Sequence, residues 1–259
     1  MNLSKKAILV VSFGTSYKKT CEKTIDVIEN EIKNSFPDYT IYRAFTSNMI
    51  IKKLLKTDNL KIFTVKEALE KLIAHNVKEL IVQPTHIING IENNFLIETV
   101  FNYKDKFESI KIGNPLLTST IDCEKVVKII MKNFSYLKEN EALICIGHGS
   151  KNYSNSIYPT IDYIFKEKGF KNVFAERYTE VNLIISKLKK INPSKVTLMP
   201  LMFVAGYHAI NDISSNKEDS WKSILEDKGF KVNCSLKSLG EYEDIRKMYI
   251  EHIKEAKLL

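Results

Sequence analysis

The 259-residue chain has little in it that would staple, anchor or segment a protein. Its four cysteines, Cys21, Cys123, Cys145 and Cys234, lie far apart and form no C-x-x-C pair. That excludes a disulfide framework and speaks against an iron–sulfur or structural zinc site. No apolar run approaches the roughly 18 residues a membrane span needs. Ala7 to Val11, after Lys5 and Lys6, is too short for a signal peptide, so a cytoplasmic protein with no membrane contact is expected. Arginine is scarce as well: Arg43, Arg177 and Arg246 are the only three among 39 basic residues. Nucleic-acid binders gather basic residues and aromatics into a stripe. Here the lysines are scattered, as in Lys187-Leu188-Lys189-Lys190, and no nucleic-acid partner is expected. The net charge of +8 reads as a solvated surface or, alternatively, as attraction for an acidic small molecule.

What is present is ordinary for a soluble globular chain, 44% hydrophobic and 27% charged. Short β-branched runs alternate with longer amphipathic stretches, the pattern of βαβ units around a parallel sheet. Strands are expected at Ala7 to Phe13, Tyr39 to Phe45, Glu79 to Gln83 and Ile110 to Ile112. Further strands are expected at Ala142 to Ile146, Asn172 to Glu176, Val196 to Met199 and Val232 to Ser235. Helices are read at Thr20 to Ser35, Val65 to His75 and Asp122 to Asn133, with a final one from Tyr242 to Lys257.

The second half repeats the first. Ala7 to Thr15 aligns with Ala142 to Ser150, and Leu80 to Gly90 with Val196 to Gly206, across loops of unequal length. The expected fold is therefore α/β, with two similar Rossmann-like lobes, each a parallel sheet flanked by helices, and a cleft between them. No Pro/Gly/Ser-rich linker marks the boundary, which is set near residue 118. Residues 1–118 form the N-terminal lobe and 119–259 the C-terminal lobe that carries the metal site, its last helix free to pack back on the first lobe.

In open parallel sheets, ligands bind beyond the carboxyl ends of the strands. That rule selects His148 after the strand ending at Ile146, Glu176 at the end of its own strand, and His208 in the loop after Pro200. Two imidazoles and a carboxylate suit a borderline divalent metal such as cobalt, nickel, zinc or iron. Each has a plainer reading: His148 as a turn residue, Glu176 as a helix cap or partner of Arg177, His208 as a loop hydrogen-bonder. In the first lobe Phe13 occupies the position of His148, and Glu92 that of His208. One lobe could hold metal while the other receives protons through Glu92, which could also be a surface acid. Ser12 and Thr15 fall in a turn able to bind an anion at a helix start. His86 sits just past the third strand. Arg43 and Arg177 end corresponding strands, where a planar guanidinium fork would suit a carboxylate ligand, although structural ion pairs fit equally well. Neither G-x-G-x-x-G, a P-loop nor a nucleophile elbow occurs.

At these residues the chain resembles the class II tetrapyrrole chelatases, and within them the anaerobic sirohydrochlorin cobaltochelatases of the CbiK type. The likeness covers nearly the whole chain. It runs through Leu9 to Tyr17, Arg43 to Ser47, His86 to Gly90, Gly147-His148-Gly149, Met199 to Met202, Val204 to Gly206, His208 to Asp212 and Asp219 to Lys222. The resemblance implies a lyase that inserts Co(II) into sirohydrochlorin in cobalamin biosynthesis, without ATP or any organic cofactor. It implies His148, Glu176 and His208 as metal ligands and Glu92 as the acid on the facing lobe; the chemistry of deprotonation makes His148 the expected base, and an acidic macrocycle gives Arg43, Arg177, Ser12, Thr15 and His86 a use as substrate contacts. The expected partners are the acidic macrocycle and a divalent metal, with a homo-oligomer left open. Iron or nickel insertion into the same macrocycle, or a tetrapyrrole- or metal-binding protein without turnover, are the competing readings.

Overall fold

The computed structural model describes residues 5–259. Its strands are β1 (Lys6–Ser12), β2 (Thr40–Phe45), β3 (Glu79–Pro84), β4 (Ser109–Ile112), β5 (Glu141–Gly147), β6 (Val173–Arg177), β7 (Lys195–Pro200), β8 (Val232–Cys234) and β9 (Lys257–Leu258). Its α-helices are α1 (Lys18–Lys23), α2 (Ile25–Ser35), α3 (Asn48–Asp58), α4 (Val65–Ala74), α5 (Ile91–Phe101), α6 (Thr120–Asn133), α7 (Ile157–Glu167), α8 (Val181–Ile191), α9 (Trp221–Asp227) and α10 (Glu243–Lys254). The chain divides into two compact units, one of residues up to 118 together with 243–259, the other of residues 119–242.

In the first unit the strands run β2-β1-β3-β4-β9, all parallel except the β4–β9 pair. The central strand β1 is apolar on both faces because helices cover both, as parallel sheets require. Ala7, Leu9 and Val11 point to one side, against Leu69 and Leu72 of α4 and Leu96 and Val100 of α5. Ile8 and Val10 alternate to the other side, that of α2 and α10.

The second unit has the strand order β6-β5-β7-β8, the arrangement of the first unit without its antiparallel edge. Ala142, Ile144 and Ile146 of β5 pack with Ile184 and Leu188 of α8 and Trp221 and Leu225 of α9. Its first helix, α6, starts at a capping box in which Ser119 and Asp122 satisfy each other's backbone N–H groups. Both units are α/β, with parallel sheets flanked by helices.

Three boundaries differ from the sequence reading. The helix expected over Thr20 to Ser35 is interrupted at Thr24, whose hydroxyl donates to the Thr20 carbonyl at 2.6 Å and whose backbone leaves helical values. The last helix stops at Lys254, and the chain continues as β9 along β4. The lobe set at 119–259 is compact over 119–242, and its last helix is the one left free to pack back on the first lobe. Residues 243–259 fold with the first unit, where Arg246 grips Glu31 through two nitrogens and the Tyr249 hydroxyl donates to the Thr85 carbonyl at 2.9 Å. No helix among the described residues is long and apolar enough to cross a membrane.

Candidate active site

The carboxyl end of the second sheet gathers most of the reactive side chains. β5 gives way to Gly147-His148-Gly149-Ser150, and this loop is pinned from behind. The Tyr158 ring lies against Gly147 so closely that a Cβ there would come within 2.2 Å of it. The Tyr158 hydroxyl accepts the Gly149 N–H at 2.9 Å, and Asn155 accepts the Ser150 N–H at 2.8 Å. Burial pushes the Tyr158 hydroxyl up to about 12, so it stays a neutral buttress. Gly149 has φ of +78°, a backbone conformation that favours glycine. The result is an exposed His148 on a fixed backbone.

His148 meets His208 with ring centroids 4.7 Å apart at 69°. His208 lies eight residues after β7, at the start of a π-helical turn, Ala209–Ile213. Tyr178 packs on both imidazoles at 5.3 Å. Its place follows from β6: the Tyr178 N–H donates to the Gly147 carbonyl at 2.9 Å, and its own carbonyl accepts the indole N–H of buried Trp221 at 2.5 Å.

The hydrogen bonds define which nitrogen each ring offers. The Nδ1 of His148 lies 3.2 Å from the Gly149 carbonyl, which can only accept. The Nδ1 of His208 lies 2.5 Å from Asp212 Oδ2. Where Nδ1 donates in this way, Nε2 carries the lone pair, and both rings present an acceptor nitrogen.

Glu176 stands apart from this pair. It is only 7% exposed, and its Oε1 accepts the Arg177 N–H at 3.1 Å. Among the described residues no three His, Cys, Asp or Glu side chains stand close enough together to hold a metal ion. Two of the three expected ligands are therefore brought together and the third is a buried carboxylate two residues before Tyr178. Arg177 borders the His148 loop at Gly149, is one-third exposed, and donates to Glu180 at 2.7 Å.

The candidates in the first unit fare unevenly. Glu92 is exposed in the first turn of α5, eight residues after β3, as His208 is after β7. His86 is half-buried, with Nδ1 3.3 Å from Asn93 Oδ1 and a buried Nε2 that has no partner. Burial drives its pKa down to about 4.

Three expected substrate contacts already have partners inside their own unit. Ser12 and Thr15 are almost fully buried: Ser12 accepts the Thr85 hydroxyl at 2.9 Å, and Thr15 accepts the Tyr17 N–H at 3.1 Å. Their burial, more than these contacts, keeps both hydroxyls from an anion at the surface. Arg43 lies within β2 rather than at its end, and its guanidinium donates to Glu29 at 2.6 and 2.7 Å and to Asp26 at 2.5 Å, both on α2. Nε and Nη2 are thus committed to two carboxylates of its own unit, and Nη1 faces the Cys21 sulfur at 4.0 Å, so the fork is held inside that unit.

The model of the cobalt chelatase (CbiK) family matches residues 6–257. The chain belongs to this family. The sirohydrochlorin cobaltochelatase of Salmonella typhimurium is 38% identical over 254 residues, 97% of this chain and 96% of that protein. The sirohydrochlorin cobaltochelatase CbiKC of Nitratidesulfovibrio vulgaris is 28% identical over 261 residues, 98% of this chain and 91% of that protein. The solved sirohydrochlorin chelatase SirB from Bacillus subtilis subspecies spizizenii, in complex with cobalt, shares the fold with a TM-score of 0.65 at 15% identity. It covers 96% of this chain and 94% of its own.

In this cobalt chelatase the sequence reading left two neighbours of the imidazoles unnoticed. Tyr178 carried a weak signal, the second residue after Glu176 at a strand end. Asp212 carried a better one, four residues after His208 and so one helical turn away.

Proposed function

We propose that this chain is a sirohydrochlorin cobaltochelatase, a lyase that inserts cobalt(II) into the macrocycle with release of two protons, in cobalamin biosynthesis. The observation that carries the reading is the imidazole pair of His148 and His208 at the carboxyl end of the second sheet, in a chain of the cobalt chelatase family. Two imidazoles form a donor pair of the borderline kind that takes cobalt(II), and Glu176, which stands apart from them in the metal-free protein, would swing in as the third donor. A delivery site must hold the ion only moderately, since the pyrrole nitrogens have to win it.

Charge and atoms balance if each pyrrole proton finds a base as the metal enters. Imidazole titrates near neutral pH, which suits a general base at working conditions. The Nε2 of His148 serves first as a ligand. Once cobalt passes to the ring nitrogens, the freed lone pair accepts a pyrrole proton. Glu92 is the second proton acceptor. Arg177 at the edge of the His148 loop, helped by the net charge of +8, draws in the polycarboxylate substrate. His86, whose buried Nε2 has no partner, is a further contact for a substrate donor once that edge of the ring is uncovered. The reaction takes place in the cytoplasm and needs neither an organic cofactor nor a nucleic-acid or membrane partner.

Anaerobic incubation of the protein with sirohydrochlorin and cobalt(II), and separately with nickel(II) and iron(II), tests this reading by absorbance. Catalytic accumulation of the cobalt product is expected. Stoichiometric binding with no metallated product would make the chain a carrier, and turnover with iron or nickel alone would reassign the metal.

A further inference from the structure

The π-helical turn after His208 places a carboxylate where a metal-carrying imidazole needs one. His208 leads into Ala209–Ile213, in which the Ser214 N–H reaches back five residues to the Ala209 carbonyl at 3.2 Å. Single π turns of this kind recur at functional sites. This one brings Asp212 Oδ2 to 2.5 Å from His208 Nδ1. The carboxylate is one-third exposed, so water screens the contact only in part.

The neighbours of the ring divide the work. Tyr178 at 5.3 Å, His148 at 4.7 Å and Tyr207 at 5.8 Å limit where the ring can lie. Packing against those rings does not select which nitrogen holds the proton; a hydrogen-bond acceptor at Nδ1 does. His148 obtains that acceptor from the backbone, the Gly149 carbonyl, and His208 obtains it from a side chain. Only the second can be removed by substitution.

We propose that Asp212 is a positioning residue for metal delivery: it holds His208 as the tautomer with the proton on Nδ1, so that the Nε2 lone pair faces the metal. This rests on the reading of His208 as a cobalt ligand. A carboxylate behind a ligating imidazole fixes its orientation and raises its basicity, and losing such a partner commonly costs about 10–100-fold in metal affinity.

The test uses the full chain and cobalt(II) alone. Nitrogen-15 spectra of the metal-free protein, at a pH where histidine is neutral, report the His208 tautomer in the native protein, Asp212→Asn and Asp212→Glu. Cobalt titrations are run on the same proteins and on His208→Ala. The expected results are an Nδ1–H tautomer in the native protein, mixed tautomers and cobalt affinity lowered about 10–100-fold in Asp212→Asn, and substantial recovery of both in Asp212→Glu. A merely structural role would lower the melting temperature of Asp212→Asn and leave the tautomer and cobalt affinity alone, and that outcome overturns the proposal. If His208→Ala binds cobalt normally, the ligand assignment is what fails. The spectra then judge Asp212 on their own, and an unchanged tautomer in Asp212→Asn overturns its role.

Discussion

His148 and His208 stand edge to face, 4.7 Å between ring centroids, on loops that leave two neighbouring strands of one sheet. Close contact between two basic rings is unremarkable while both are neutral and costly once both are charged. It becomes useful when a cation sits between their lone pairs. The backbone and side-chain acceptors behind the two Nδ1 atoms leave both lone pairs on the side away from their anchors.

The first expectation concerns His148. Because it is exposed and its loop is pinned from behind by Tyr158 and Asn155, His148→Ala should fold normally. Loss of a general base typically costs about 10²–10⁴ in rate. Cobalt insertion followed by absorbance should fall by at least that much, with an unchanged melting temperature. Near-native turnover would remove His148 from the mechanism.

Much of this was legible in the sequence, and the physical reason is burial. β1 and β5 are covered on both faces, so Ala7 to Val11 and Ala142 to Ile146 are unbroken apolar runs that no loop would carry. The internal repeat followed from the same strands. Less visible was α5, whose Phe95 and Phe101 are exposed, so its apolar residues form no single stripe. Arg43 was left open between a carboxylate ligand and a structural ion pair, because the acids that bind it lie on a helix well before it in sequence and a strand-end position says nothing about such partners. The placement of α10 depends on the contacts of Arg246 with Glu31 and of Tyr249 with Thr85, which no local pattern announces.

The metal donors give the second expectation. His208→Ala and Glu176→Gln should each weaken cobalt binding by an order of magnitude or more, since a small donor set loses geometry along with a ligand. Isothermal titration with cobalt(II) checks both. The two variants need not match: Glu176 is buried beside Arg177, and its neutral replacement also removes a partner from that guanidinium. If both titrate like the native protein, the ion binds elsewhere.

Gly147 supplies a steric prediction. A methyl group there would meet the Tyr158 ring at 2.2 Å, so Gly147→Ala must displace either the ring or the strand end. Overpacking of this kind typically costs about 1–3 kcal/mol. Displacing Tyr158 also frees the Gly149 N–H it accepts. Urea unfolding should show the loss of stability, and the insertion rate should fall with it. A variant as stable and active as the native chain would mean that Tyr158 does not set the His148 loop.

His86 makes stability depend on pH. Burial lowers its pKa to about 4 from the ordinary imidazole value of 6.5, so between those values the unfolded chain binds a proton that the folded chain does not. Stability therefore rises with pH across this window. The contribution is fully present above 6.5 and is lost as pH falls toward 4, a change on the order of 3 kcal/mol at most. His86→Gln cannot titrate and should show a flatter stability profile from pH 7 to pH 4 in denaturant unfolding. Parallel profiles for the two proteins would mean that the ring is solvated in solution.

The two arginines that end up in different roles allow the last test, because one substitution should act on stability and the other on substrate. Arg43 donates to both oxygens of Glu29 and to Asp26, contacts that fasten β2 to α2 inside one unit. Lysine keeps the charge but offers a single ammonium in place of a planar fork. Arg43→Lys should therefore cost about 1–3 kcal/mol in unfolding free energy, the range for hydrogen bonds between charged groups, with the Michaelis constant for sirohydrochlorin unchanged. Arg177 is bound less completely, with one hydrogen bond to Glu180 and Glu176 at 4.0 Å, and it borders the loop that carries His148. Arg177→Lys should leave stability nearly intact and raise that constant about tenfold, equivalent to one charge-assisted hydrogen bond. Added salt should raise it in the native protein as well, because attraction between exposed charges is screened beyond about 10 Å at 0.1 M. Unfolding curves and initial rates measured on both variants separate the two roles. A raised Michaelis constant in Arg43→Lys at native stability would return that residue to the substrate, and a native constant in Arg177→Lys would leave the positive charge as surface composition.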